Sequence, residues 1–144
     1  LHPCEATKGV VDLVPAMSVK ARLSFVKRIG LGEGVSYGMT WRAAGPTIVG
    51  TLPLGYADGV PRITSNRLRV LVRGVECHQI GRICMDQMMV EIPPTLQVEV
   101  GDEAVVVGGD SPSVINIDEI CLLTGSINYE QACAFGMRMS RQFE

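Results

Sequence analysis

The chain is poor in aromatic residues and carries no excess of basic ones. Phe, Trp and Tyr make up 5% of its 144 residues, and 13 Lys and Arg face 15 Asp and Glu. Single-stranded nucleic acid is held by aromatic platforms in a basic groove. A net charge of -2 exerts no pull on a polyanion or an anionic membrane. The lysines are Lys8, Lys20 and Lys27, and none sits in a setting that suggests a Schiff base. The histidines, His2 and His78, are isolated from each other, and Cys77-His78 is poor spacing for a metal, so no metal site is expected. Five cysteines is an odd number and no C-x-x-C pair occurs, which points to reduced thiols in a cytoplasmic protein rather than a disulfide framework. G-x-S-x-G, H-E-x-x-H and P-loop signatures are all missing. No apolar run approaches the roughly 18 residues of a membrane span. The first residues, LHPCEATKGVVDLVPAM, have neither the basic start nor the apolar stretch of a signal peptide. They also lack an initiator Met, so a preceding part is expected to be missing.

What is present suits one folded domain. Hydrophobic residues are 47% and charged residues 19%, and a chain of this length buries roughly two-thirds of its unfolded surface. Residues 1–15, with Pro3 and Pro15, read as a linker leading into a domain over 16–144. Met17, Val19, Ala21, Leu23 and Phe25 alternate with polar residues, the period of a half-buried strand. After a Gly30–Gly34 turn, Val35 to Trp41 alternates again, with Tyr37 on the apolar side. Thr47 to Leu54 is the next strand, with Pro53 marking its end. Arg67 to Arg73, Glu76 to Gln79, Arg82 to Ile92, Gln97 to Val100 and Glu103 to Val107 complete the strand candidates. The period then changes. Asn116 caps a helix over Ile117–Leu123 with Glu119 in capping-box position, and Gly125 stops it. Asn128, with Gln131 three residues on, caps a second short helix to about Phe135, and an extended segment follows to Arg141. The expected fold is mainly β, a small barrel or sandwich with two short helices near the C-terminus.

Four constellations are chemically suggestive. Tyr37 lies in SYG and Tyr56 in GYADG, each phenol beside glycine, with Arg62 shortly after. In GRICMDQ, a strand would put Arg82, Cys84 and Asp86 on one face, where an Arg and an Asp pair or meet a charged ligand. Ile127-Asn128-Tyr129-Glu130 opens a helix, where backbone N–H groups favour anions. Each alone is equally well a core tyrosine, a turn, a solvated face or a plain cap.

In order and spacing, the segments PAMSVKARLSFVKRI, GVSYGMTW, GTLPLGYADGVPR, GRICMDQMMV and INYEQAC resemble the C-terminal β domain of alanine racemases. These are enzymes that interconvert L- and D-alanine with pyridoxal 5'-phosphate. The resemblance runs from about Pro15 to Cys133. It implies that Tyr37 is the catalytic acid/base on one face of the cofactor-bound substrate. A lysine from an N-terminal barrel domain would serve the other face and hold the cofactor. It further implies that Met85 offers a backbone N–H to the substrate carboxylate and that Tyr129 touches the cofactor phosphate. Tyr56, Arg62 and Ile127 would line the channel to the site, and Arg82 and Asp86 would belong to its polar wall. Such enzymes are homodimers in which this domain completes the partner's site, and they supply D-alanine for peptidoglycan precursors. Without the barrel lysine, the isolated chain is expected to be inactive. A domain of a related serine or broad-specificity racemase, and a non-catalytic β-barrel module for dimerisation or binding, are the other readings. No nucleic-acid or membrane partner is implied.

Overall fold

Seven strands form one antiparallel sheet, and a single bent segment supplies both of its edges. The computed structural model describes residues 10, 13–110, 112–136 and 138–143. β1 (Val19–Arg22) and β2 (Phe25–Ile29) are separated by Leu23 and Ser24 alone. Yet β1 pairs with β9 (Glu103–Val107) and β2 with β5 (Thr47–Leu52), at opposite ends of the order β1-β9-β6-β7-β8-β5-β2. The strands between are β6 (Arg69–Val72), β7 (Val75–Ile80) and β8 (Met88–Ile92). Two residues reach only about 10 Å, so the sheet must curl until its edges nearly meet. At the bend, Leu23 N–H donates to Asp102 O beside β9 and Ser24 N–H to Thr51 O in β5, both at 2.9 Å, one bond toward each end of the sheet.

The concave face holds the main core. Leu23, Leu52, Val70, Val72, Met88, Val90, Ile92, Ala104 and Val106 are buried there, together with Ile117, Ile120 and Phe135 from the C-terminal helical part. Gly50 in β5 makes room for this packing: a Cβ there would stand 2.7 Å from Leu23 Cδ2. The opposite face carries a second cluster of Ile29, Val35, Ala43, Val49 and Ile80, with Trp41 and Met89 against it. It is covered by a hairpin of β3 (Gly34–Val35) and β4 (Trp41–Arg42).

α1 (Ile117–Thr124) forms as its caps dictate. Asn116 accepts from Asp118 N–H at 3.0 Å, Glu119 accepts from Asn116 N–H at 2.9 Å, and Gly125 ends the helix at φ 73. Arg69 on β6 reaches Glu119 through two bonds of 2.7 Å and Glu76 at 2.9 Å, tying α1 to the sheet. α2 (Asn128–Ala134) packs against α1, with Asn128 Nδ2 donating to Asp118 Oδ1 at 3.2 Å. Among the described residues no helix is long and apolar enough to cross a membrane.

Several expected elements are corrected. Most of the linker read over 1–15 lies outside the described residues, and residues 13–15 have no regular structure. The strand expected over Met17–Phe25 is two strands. Its alternation runs on through the bend, but Met17 lies before β1 and is exposed, and Phe25 is exposed because pairing on the second edge shifts the buried phase to Val26. Val35 to Trp41 is not a strand: two short strands flank a tight turn over Tyr37–Met39. Of Arg82–Ile92 only Met88–Ile92 is strand, so Arg82, Cys84 and Asp86 share no strand face. Arg82 and Asp86 are exposed and Cys84 is buried. Gln97–Val100 and the residues described after 135 carry no strand. α2 begins at Asn128 itself, with Ile127 at the cap position, because the Gln131 side chain is drawn elsewhere.

Candidate functional site

The loop from Gly81 to Gln87 is where the motifs meet. Its backbone polar groups are bonded almost one by one to distant segments, as a non-repetitive buried backbone requires. Gly81 N–H donates to Asn66 Oδ1 at 2.6 Å, and Gly81 O accepts from Gln79 Nε2 at 2.8 Å. Arg82 O accepts from the Ser36 hydroxyl at 2.6 Å. Ile83 N–H donates to Ser65 Oγ at 3.0 Å. Cys84 O accepts from Tyr56 N–H at 3.0 Å, and Met85 O from Ala57 N–H at 2.8 Å. Cys84 N–H closes on Gln87 O at 2.9 Å. The Met85 N–H takes no part in this set.

Each neighbouring segment is shaped to reach the loop. The tip that carries Tyr37 is a turn of unusual backbone: Ser36, Gly38 and Met39 have φ of 65°, 70° and 44°. Two non-glycine residues in the left-handed region is a strained arrangement. It lets Ser36 point its hydroxyl at Arg82 O and at Cys84 Sγ, 3.4 Å away. The Arg82 guanidinium lies over Gly38, where a Cβ would be in ordinary contact at 3.5 Å. Tyr37, next to it, is 70% exposed. The phenol is therefore set out on a braced turn, not held in a core as its place in the alternation suggested.

The GYADG segment lies flat on the loop because it begins with glycine. A Cβ on Gly55 would overlap the carbonyl oxygens of Cys84 and Met85. Asp58 is 3% exposed, accepts from Gly55 N–H at 2.9 Å and faces Arg138 at 3.4 Å. That closes the turn from within and leaves Tyr56 at its surface, 42% exposed. Gly59 adopts φ 101 and packs on the end of α2, where a Cβ would overlap the Ala134 carbonyl. The buried Gln131 of α2 donates to Gly59 O at 2.7 Å. This bond joins the helix carrying Tyr129 to the turn carrying Tyr56.

Of the residues singled out in the sequence, Tyr37, Tyr56, Arg62, Arg82, Met85, Asp86, Ile127 and Tyr129 are all exposed. Met85 at 58% and Ile127 at 62% are apolar side chains with no core role. Direct bonds connect the segments of Tyr37, Arg82 and Met85, and those of Tyr56 and Met85. Arg62 joins through Ser65, whose hydroxyl donates to Arg62 O at 2.6 Å while accepting from Ile83. Tyr129 and Ile127 join through α2 and Gly59. The residues that do the joining, Ser36, Ser65, Asn66, Gln79 and Gln131, escaped the sequence reading as site components. Gln79 and Gln131 are wholly buried amides, whose polar ends must each be satisfied.

The titrating groups with displaced pKa lie away from this loop. Burial pushes the Cys77 thiol up to about 11 and also raises Cys121. Burial works against ionisation of Glu119, but the hydrogen bonds from Arg69 and the Asn116 N–H, together with the charge of Arg69, outweigh it and hold the carboxyl below its ordinary value. Among the described residues there is no group of His, Cys, Asp and Glu arranged to hold a metal.

A curled antiparallel sheet with an outlying hairpin and two C-terminal helices, bearing exposed phenols around a pinned loop, defines a β domain that presents a polar surface. The chain belongs to the alanine racemase C-terminal domain family, whose model matches residues 16–143. It is 41% identical over 144 residues to the alanine racemase of Desulforamulus reducens and 45% identical over 136 residues to that of Mycobacterium bovis. These matches cover 99% and 94% of the chain, but the chain spans only 38% and 35% of those relatives. Among solved structures, it superposes with TM-score 0.87 and 36% identity on alanine racemase of Clostridium difficile 630 in complex with cycloserine. It superposes with TM-score 0.88 and 30% identity on that of Bacillus anthracis with bound L-Ala-P. The chain is covered to 94% in both, and it spans 36% and 35% of those structures.

Proposed function

We propose that this chain is the C-terminal β domain of a pyridoxal 5'-phosphate-dependent alanine racemase, supplying one wall of its active site. The domain is residues 16–144, and 1–15 is the linker from an N-terminal barrel domain. The observation that supports this best is the bonding of the SYG, GYADG and CMDQ segments to one another around the 81–87 loop, with INYE attached through α2.

Racemisation removes a proton from one face of a carbon and returns one to the other, so two groups on opposite faces are required. Tyr37 Oη is one of them. Its turn is pinned through Ser36 to Arg82 O, which fixes where the proton is delivered. The second group is a lysine of the barrel domain. Lys20 of this chain is paired with Glu103 at 3.1 Å, on a sheet edge. Met85 N–H receives the substrate carboxylate, with Arg82 and Asp86 in the same polar wall. Tyr56, Arg62 and Ile127 form the channel that admits alanine.

The residues present fit part of the cofactor's needs. Tyr129 is half exposed as the second residue of α2, whose cap residue Ile127 makes no side-chain cap. The Tyr129 hydroxyl suits a phosphate oxygen. When bound, the cofactor acts as the electron sink for the carbanion. The homodimer partner brings the barrel domain to this wall, so the isolated chain is inactive. We place the enzyme in the cytoplasm, supplying D-alanine for peptidoglycan; free Cys77, Cys84, Cys121 and Cys133 agree with a reducing compartment.

The test is made on the full-length protein that carries this chain. Purified protein should show bound-cofactor absorbance and convert L- to D-alanine, while the isolated chain should do neither. Full-length protein without alanine racemisation would overturn the proposal, and preference for serine would move its substrate.

A further inference from the structure

Asn66 sits at the junction of three segments of the proposed site. Its Oδ1 accepts from Gly81 N–H at 2.6 Å and its Nδ2 donates to Thr40 Oγ1 at 3.3 Å. Its own N–H donates to Gln79 Oε1 at 2.7 Å. Gln79 then turns Nε2 onto the carbonyls of Ile80 at 3.0 Å and Gly81 at 2.8 Å. Backbone groups therefore fix the orientation of both amides: the Asn66 oxygen faces a donor, and the Gln79 nitrogen faces two acceptors.

The backbone explains why an asparagine stands here. Asn66 adopts φ 63, a conformation that asparagine enters more readily than most L residues. That turn aims its side chain across to Gly81, the residue before Arg82, and to Thr40, the residue after the Tyr37–Met39 turn. Ser65 beside it bonds Ile83 and Arg62 O. One short turn thus grips the Met85 loop at two points and the Tyr37 turn at a third.

We infer that Asn66 is a positioning residue, which sets the spacing between the Tyr37 turn and the Met85 loop through Thr40 and Gly81. It touches neither substrate nor cofactor. This deepens the racemase reading and rests on it. Misplacing a reacting group by about 1 Å costs as much as a hundredfold in rate. A residue that only satisfied its own turn would leave the rate unchanged once the turn was kept.

Three variants of the full-length holoenzyme separate these cases. Asn66→Gly keeps the left-handed backbone without strain and deletes the amide. Asn66→Asp keeps an oxygen that accepts from Gly81, and its second oxygen can accept from the Thr40 hydroxyl, which turns its own O–H to keep that bond. Thr40→Val removes the other end of that bond. Asn66→Gly is expected to lower kcat by about tenfold or more with a smaller change in KM for alanine. Asn66→Asp should recover most of the loss, and Thr40→Val should add nothing to Asn66→Gly. Hydrogen exchange at the Gly81 amide should accelerate in Asn66→Gly and stay slow in Asn66→Asp. A wild type that racemises alanine while Asn66→Gly matches its kcat overturns the positioning role alone. A wild type that does not racemise overturns the function and this role together. If Asn66→Gly fails to fold, Thr40→Val decides: an unchanged kcat overturns the inference, and a lowered kcat with KM little changed supports it.

Discussion

The Ser36 hydroxyl donates to the Arg82 carbonyl at 2.6 Å, although 46 residues separate them. The turn presenting Tyr37 and the loop presenting Met85 are thereby one unit, and this bond is open to direct test. Ser36→Gly suits the backbone at φ 65 and deletes the hydroxymethyl group, and with it this hydrogen bond. One partly exposed hydrogen bond contributes about 1 kcal/mol, a small part of a domain's stability. The melting temperature should therefore move by only a few degrees, while full-length racemisation falls about fivefold or more. An unchanged rate would show that the turn holds itself.

Gly55 should tolerate no side chain, although its backbone is not left-handed. The obstacle is the Cys84 and Met85 carbonyls that a Cβ would overlap. Gly55→Ala should destabilise the domain by about 2 kcal/mol or more, within the range for forced overpacking. Gly45, where an added Cβ would meet nothing within 4 Å, provides the control. Denaturant midpoints that match for Gly55→Ala and Gly45→Ala would contradict the close approach.

Acid stability should depend on Glu119. Its carboxyl is held below the ordinary value by Arg69 against the cost of burial, so the folded state binds this proton less readily than the unfolded chain. The stabilisation is then full above the unfolded value, near 4.3, and is lost as pH falls through the lower folded value. Thermal melts from pH 6 to pH 3 should show a shallower acid decline in Glu119→Gln than in the wild type. Parallel declines would mean that Glu119 has no part in acid stability.

Thiol labelling should follow burial. Cys133 is exposed, whereas Cys77 is buried with its pKa raised to about 11 and Cys121 is likewise raised. At pH 8 the thiolate is the reactive form. Peptide mapping after brief alkylation should find Cys133 modified and Cys77 untouched until denaturant is added. Early modification of Cys77 would mean that the β6–β7 hairpin opens readily.

The sequence made legible what local rules decide. The capping box of Asn116 and Glu119 placed α1, RLRVLVR announced β6 through its alternation, and EAVVV after the Gly101-Asp102 turn announced β9. What it hid depends on distant partners. Nothing in SVKARLSFVKRI shows that its halves serve opposite edges of a curled sheet. VSYGMTW alternates like a strand, yet Ser36 is drawn to Arg82 and the chain turns sharply at Tyr37. GRICMDQ reads as the start of a strand running to Ile92, but its backbone groups are claimed by Asn66, Ser36, Ser65 and Tyr56 before a ladder can form. The site residues were found as motifs of a family; the side chains that hold them together were not, because an Asn or Ser in a polar turn looks the same whether or not it bonds across the fold.

The central claim is that Tyr37 is a proton-transfer group. Racemisation by full-length Tyr37→Phe should be measured in both directions, L to D and D to L, with cofactor occupancy checked by absorbance. A positioned acid/base contributes about 10²–10⁴-fold, so a loss of that order is predicted with the cofactor still bound. Near-normal rates in both directions would contradict the claim.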